Sequence, residues 1–235
     1  MYPFNPNEDT IRLNALRDDL RISVELIRNG LEIIARSSLV EADYYSAFVL
    51  LAIGYEHMMK DIICIGHRGE TGNFDVTLSK WGHDLKYLLE TVVSKYMTDS
   101  FFFDTQAGKA SLEFVKEDRI LDGMLGILSD FGQADRYYYL NVVTSKDPKE
   151  NWSLESAEQR CASFEINLYK EYLGPNWQEL FAKQSPKEDP FKVSAPMLVK
   201  TFYRFNEALA WTFKQGHLDK DVEFLVVELN ELPLN

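Results

Sequence analysis

Cysteine is scarce in this chain of 235 residues: there are two, Cys64 and Cys161. Both lie among apolar neighbours inside helical patterns. That suits buried thiols acting as small hydrophobes and excludes a disulfide framework or a cysteine-based zinc site. Basic residues are also in deficit, with 25 Lys and Arg against 37 Asp and Glu and a net charge of −12. Broad, sequence-independent binding to nucleic acid needs Lys and Arg to displace counterions, so the overall balance argues against it and leaves only a local basic patch. Long hydrophobic runs are missing too. The Tyr44–Tyr55 stretch offers roughly twelve residues before Glu56, whereas a bilayer span needs about 20. The first residues, MYPFNPNEDT, lack the basic and apolar pattern of a secretion signal. The expectation is therefore a cytoplasmic chain with no membrane partner. Internal repeats and low-complexity tracts are absent as well.

What the chain has is core material: an apolar share of 46%, with fifteen Phe, twelve Tyr and four Trp. The longest apolar run, YYSAFVLLAIGYEHMMKDIICI (Tyr44 to Ile65), predicts one central helix. Phe48, Ala52, Tyr55, Met59 and Ile62 fall on one face, and Val49, Leu50, Leu51 and Ile53 make most of the rest apolar. Such a helix belongs inside a bundle. Ahead of it, Leu13, Leu16, Leu20, Val24, Ile27, Leu31 and Ile34 step by three and four from a cap at Asp9 or Thr10. Arg17, Asp18, Arg21, Glu25, Arg28 and Glu32 occupy the opposite face. Ser37 and Ser38 break the pattern, so the two helices should form an antiparallel hairpin. The stripe would serve the chain's own core, or a second copy in a homodimer.

Residues 66–80, with three glycines, read as a loop. A third helix follows from Trp81 to Met97, with Leu85, Leu88, Leu89, Val92 and Tyr96 inward. Phe101, Phe102 and Phe103 form an apolar knot. A fourth helix is expected from Asp104 or Thr105 to about Phe131, then a break and a short aromatic segment through Tyr137, Tyr138 and Tyr139. Residues 144–152 read as a polar loop. Ser153 would cap a fifth helix ending at Leu173 before Gly174-Pro175. Asn176 to Ala182 reads as a short helix or turn. The proline-rich 184–196 reads as a linker, and Met197 to Gln215 as a sixth helix. Residues 217–235 favour helix over strand. The fold class is all-α: an up-and-down helical bundle with additional C-terminal helices (153–235) on the same core, in one compact unit.

Two pieces carry a family resemblance: LLAIGYEHMMK (Leu50 to Lys60) on the central helix and GHDLKYLL (Gly82 to Leu89) at the start of the third. With the long first helix, residues 10 to 140 resemble the HEPN-like superfamily of helical bundles. The resemblance implies four or five helices, dimerisation, and links to RNA cleavage, nucleotide binding or bacterial defence. Ribonuclease members carry an Arg, then four to six residues, then a His, for proton transfer and phosphate charge. None of the four histidines here, His57, His67, His83 and His217, has an arginine at that spacing. Arg136 has Asn141 where the His would stand, and Asn does not shuttle protons near neutral pH. The expectation is thus a catalytically silent protein binding a nucleotide, RNA or a partner protein, with no cofactor and no metal.

Candidate ligand-binding residues are Glu56, His57, Lys60, His83, Asp84, Arg136 and Tyr137. Arg136 could hold a phosphate while the tyrosines stack a base; alternatively the tyrosines fill the core and Arg136 pairs with a carboxylate. Glu56, His57, Lys60 and Asp61 span about one and a half turns. They suit either a polar pocket at the bundle end or a Glu56–Lys60 ion pair, with His57 and Asp61 at the bundle edge. A rival reading joins His57, His83-Asp84 and Asp130 as the metal ligands of an HD-type phosphohydrolase. Its plain counterpart places Asp84 on a helix dipole and His83 near a cap. A purely structural, self-associating module is the third reading.

Overall fold

The computed structural model of this chain describes residues 8–36, 44–97, 104–133, 135–144, 146, 155–175, 177–179, 191–214, 218, 227–229 and 232. Among these residues there is no strand. The helices are α1 (Glu8–Arg36), α2 (Tyr44–Thr71), α3 (Leu85–Val92), α4 (Gln106–Glu117), α5 (Arg119–Gln133), α6 (Tyr138–Thr144), α7 (Ala157–Leu173) and α8 (Phe191–Lys214). The expectations for Phe101–Phe103, for Ser37 and Ser38, and for most of 144–153, 176–190 and 217–235 fall outside the described residues.

The all-α bundle is as the periodicity implies. Leu20, Val24, Ile27, Leu31 and Ile34 of α1 are all buried, so its stripe serves the chain's own core. Phe48, Leu51, Tyr55, Met58, Met59 and Ile62 make α2 the central rod. The two run antiparallel, since Asp19 meets His57 while Gly30 meets Ala47 and Leu51. Their close approach depends on Gly54: a Cβ there would stand 2.8 Å from Ile27 Cγ1 and 3.1 Å from the Ser23 carbonyl. On another side of α2, the Tyr55 hydroxyl donates to Asn206 Oδ1 at 2.9 Å and its ring stacks on Phe202 of α8. One buried cluster takes side chains from α1 to α5, α7 and α8, with Leu218, Leu229 and Leu232 joining it. The C-terminal helices therefore pack on the same core. No described helix is long and apolar enough to cross a membrane.

Several expected boundaries move. The central helix runs on to Thr71 rather than ending near Ile65. Gly66, read as the start of a loop, lies where a Cβ would clash with the Tyr96 ring at 2.2 Å, so packing selects glycine there within the helix. The chain leaves the helix at Gly72, whose φ of 75° is left-handed. The third helix is shorter than expected. A 3-10 turn (Leu78–Trp81) and the Gly82 turn precede α3, and a π turn (Val93–Met97) follows it. The expected fourth helix is two, because Asp118 interrupts it and its carboxylate accepts from the Ile120 and Leu121 amides to start α5. The fifth helix is capped by Ser156, in a reciprocal box with Gln159, rather than by Ser153. The end of the proline-rich stretch is helical from Phe191, with Pro196 inside α8.

Candidate functional site

The site begins with two residues one turn apart on α2. Glu56 and Lys60 point to the same side, and Lys60 Nζ meets Glu56 Oε1 at 2.6 Å. Their side chains are only 11% and 16% exposed, so neither charge is stable there without the other. Lys60 also donates to the Gly82 carbonyl at 2.8 Å. It thereby clamps the turn that presents His83. The remaining Glu56 oxygen, Oε2, lies 2.7 Å from His83 Nδ1. That contact orients the imidazole and leaves Nε2 as its other ring nitrogen.

The turn itself is built locally. Gly82 adopts φ 55°, and Asp84 then caps α3 by accepting from the Tyr87 amide at 3.0 Å. Ser129 of α5 supplies a second acceptor, taking the Leu85 amide at 2.7 Å. This docks the start of α3 against α5. The end of α5 brings Phe131 and Gly132 to the same place, and a 3-10 turn (Asp135–Tyr137) follows. The Tyr45 hydroxyl donates to the Arg136 carbonyl at 3.2 Å, fixing that turn to the start of α2.

The result is a cleft of about 160 Å³ lined by Glu56, His83, Arg136 and Tyr137, with Tyr45, Ile53 and Phe131 among its apolar walls. Tyr45 and Phe131 meet edge to face at 5.4 Å. The Arg136 guanidinium lies 5.0 Å over the Tyr137 ring. It makes no ion pair among the described residues, and its buried Nε has no hydrogen-bond partner there. The contrast with other arginines is clear: Arg12, Arg21, Arg36, Arg119 and Arg160 each meet a carboxylate. The carboxylate partner considered for Arg136 is not seen among the described residues.

Five of the seven candidate residues thus converge: Glu56, Lys60, His83, Arg136 and Tyr137. Two do not. Asp84 is spent on the helix cap, as the plain reading had it. His57 faces α1, with Nδ1 3.0 Å from Asp19 Oδ1. That bond raises its pKa above 6.5, against an opposing desolvation. Asp61 is not at the bundle edge. It is 4% exposed, and burial holds its pKa well above the usual carboxylate range, with the neighbouring Asp19 adding to the effect. The four residues on α2 divide between two sides because neighbours in sequence sit about 100° apart around a helix.

The same geometry dismantles the HD-type ligand set. His57 binds Asp19, Asp84 caps α3, and Asp130 lies 3.5 Å from Arg160. Among the described residues, no group of three or more His, Cys, Asp or Glu is arranged to hold a metal ion. Asn141 is exposed on α6. The thiols are inert in character: burial pushes Cys64 up to about 12 and Cys161 higher still. Sequence reasoning did not single out Tyr45, Phe131 or Gly132 as cleft walls, nor Asp19 as a partner of His57. Only the aromatic character of Tyr45 and Phe131 hinted at such roles. No protein-family model, curated protein or solved structure matches this chain.

Proposed function

We propose that this chain is a catalytically silent, HEPN-like bundle whose Arg136 cleft binds a nucleotide, or one phosphate and base of an RNA strand. The observation that carries this reading is the Arg136 guanidinium, held at a cleft and unmatched by a carboxylate among the described residues of an acidic chain. A phosphate would supply the missing charge, through hydrogen bonds that an arginine fork makes well. Tyr137 and Tyr45 offer aromatic faces for a base. The Lys60–Glu56–His83 chain is the rigid floor. In this reading the protein works as a homodimer, in bacterial defence, with the occupied cleft as its signal to a partner protein.

The test is equilibrium dialysis with nucleoside monophosphates and a short single-stranded RNA at low salt. Arg136→Ala should weaken binding by about tenfold to a hundredfold, the value of hydrogen bonds to a charged group. No binding of either ligand by the parent chain would leave the structural, self-associating module as the surviving reading. Equal binding by the variant would place any ligand elsewhere.

The Glu56–His83 contact favours a second reading. An imidazole oriented through Nδ1 presents Nε2 for proton transfer. Beside Arg136, it would take the proton from a ribose 2′-hydroxyl as that oxygen attacks the adjacent phosphorus; the bond from phosphorus to the next nucleotide's 5′-oxygen breaks, that oxygen takes a proton from water, and a 2′,3′-cyclic phosphate remains. RNA cleavage lost on His83→Gln, with binding retained, would establish this in place of silence.

A further inference from the structure

We propose that Asp61, Asp19 and His57 form a proton-operated latch between α1 and α2, closed while Asp61 carries a proton and opened as that proton leaves. The latch works whatever the cleft binds. Asp61 is buried on α2, and its Oδ2 finds no hydrogen-bond donor. The charged group that acts on it among the described residues, Asp19 of α1, is another carboxyl group. Two carboxylates in hydrogen-bonding contact repel; a carboxyl and a carboxylate attract, because one of them becomes the donor. A proton on Asp61 therefore resolves both the missing donor and the repulsion. His57 closes the other side of Asp19 at 3.0 Å.

The surrounding groups offer no alternative. Lys60, the nearest cation on α2, is held by Glu56 and the Gly82 carbonyl on the cleft side. Cys64 lies beside the pair as a neutral thiol, raised by burial and by Asp61 and Asp19. From α1 the facing group is Asp19, whose carbonyl accepts from the Ser23 hydroxyl. Among the described residues of α3, α5 and α8, no charged group acts on Asp61.

The latch sits where α1 changes character. From Leu20 onward α1 is anchored by fully buried residues, whereas before it only Leu13 and Leu16 pack partly against the core. Releasing Asp19 would free residues 8–19 without unfolding the bundle. The sign follows from linkage. Asp61 holds its proton in the folded chain above the pH where the unfolded chain loses it, so the contribution is present at low pH and lost as pH rises. His57, raised by the same partner, acts in the same direction.

The experiment is hydrogen exchange of residues 8–19 between pH 6 and pH 9, corrected for intrinsic exchange rates. While the closed seam still holds the Asp61 proton that the open state would lose, the opening constant should rise by about tenfold per pH unit, and it should level off once Asp61 ionises in the closed seam. Asp61→Asn keeps a donor toward Asp19 and removes the titration. It should hold residues 8–19 protected across the range and raise Tm at pH 8.5 by roughly 2–4 °C. A carbon-13 titration of the aspartate carboxyls, assigned with the same variant, reads the proton directly in the parent chain. An Asp61 signal titrating near 4, or pH-independent protection in the parent chain, would overturn the latch.

Discussion

The two sides of α2 carry the same kinds of residue and solve opposite problems. On one side Glu56 is offset by Lys60 and His83, and Arg136 stands opposite with no carboxylate of its own among the described residues. Charge there is positive in excess, with the Glu56–Lys60 pair mostly buried beneath the cleft that Arg136 lines. On the other side Asp19 and Asp61 face each other across a packed seam, with His57 at its rim. Charge there is negative in excess, with Asp61 buried and Asp19 and His57 half-exposed. The first imbalance calls for an anion, and the second is relieved by a proton. One residue step along a single helix separates the two chemistries.

The largest expected effect breaks the cleft side. Glu56→Ala leaves Lys60 without its anion in a mostly buried position and frees His83. It should cost about 3–5 kcal/mol in urea denaturation. Glu56→Gln, which keeps an oxygen and the volume, should cost less. Next comes a pair of glycines. Gly54→Ala should cost about 1–3 kcal/mol, because the α1 backbone and Ile27 are already too close. Gly132→Ala, whose Cβ would meet His83 and Ala52 at 3.6 Å or more, should be neutral or stabilising by up to about 1 kcal/mol. A reversed order would mean that the seam is the looser of the two sides.

Smaller still is His57→Gln. The His57–Asp19 contact is half-exposed, so it contributes at most about 1 kcal/mol. Because folding raises the His57 pKa, that contribution is complete below 6.5 and disappears as pH climbs through the raised value. The variant should therefore lower Tm at pH 5.5 and leave it unchanged at pH 8.5. The smallest effect on stability belongs to Arg136→Ala, within about 0.5 kcal/mol by thermal denaturation, since no ion pair is lost among the described residues. Its consequence should appear in binding instead.

Much of this was legible in the residues. The period of Leu20, Val24, Ile27 and Leu31 marks α1, and the apolar girth of 44–65 marks the central rod, because burial writes itself into spacing. Polar residues on a greasy helix marked Glu56 and Lys60, and the turn before Leu85 marked His83. What spacing could not show was which neighbours across the fold each would meet. Asp61 looks like an edge residue until Asp19 of α1 is beside it. Tyr45 and Phe131 look like core until their contact leaves a cleft. Gly66 reads as a loop until Tyr96 lies over it. These three misses are tertiary contacts, about which local pattern carries no information; the Asp118 break and the Ser156 cap are local contacts between residues two or three apart.

The most direct measurement follows the ring protons of His83 and His57 by NMR while adenosine monophosphate is added. The two histidines report from opposite sides of the same helix. With the cleft as the binding site, His83 shifts saturably, His57 stays in place, and Arg136→Ala moves the titration to about tenfold to a hundredfold higher nucleotide. Equal shifts at both histidines, or none at millimolar nucleotide, would contradict the account.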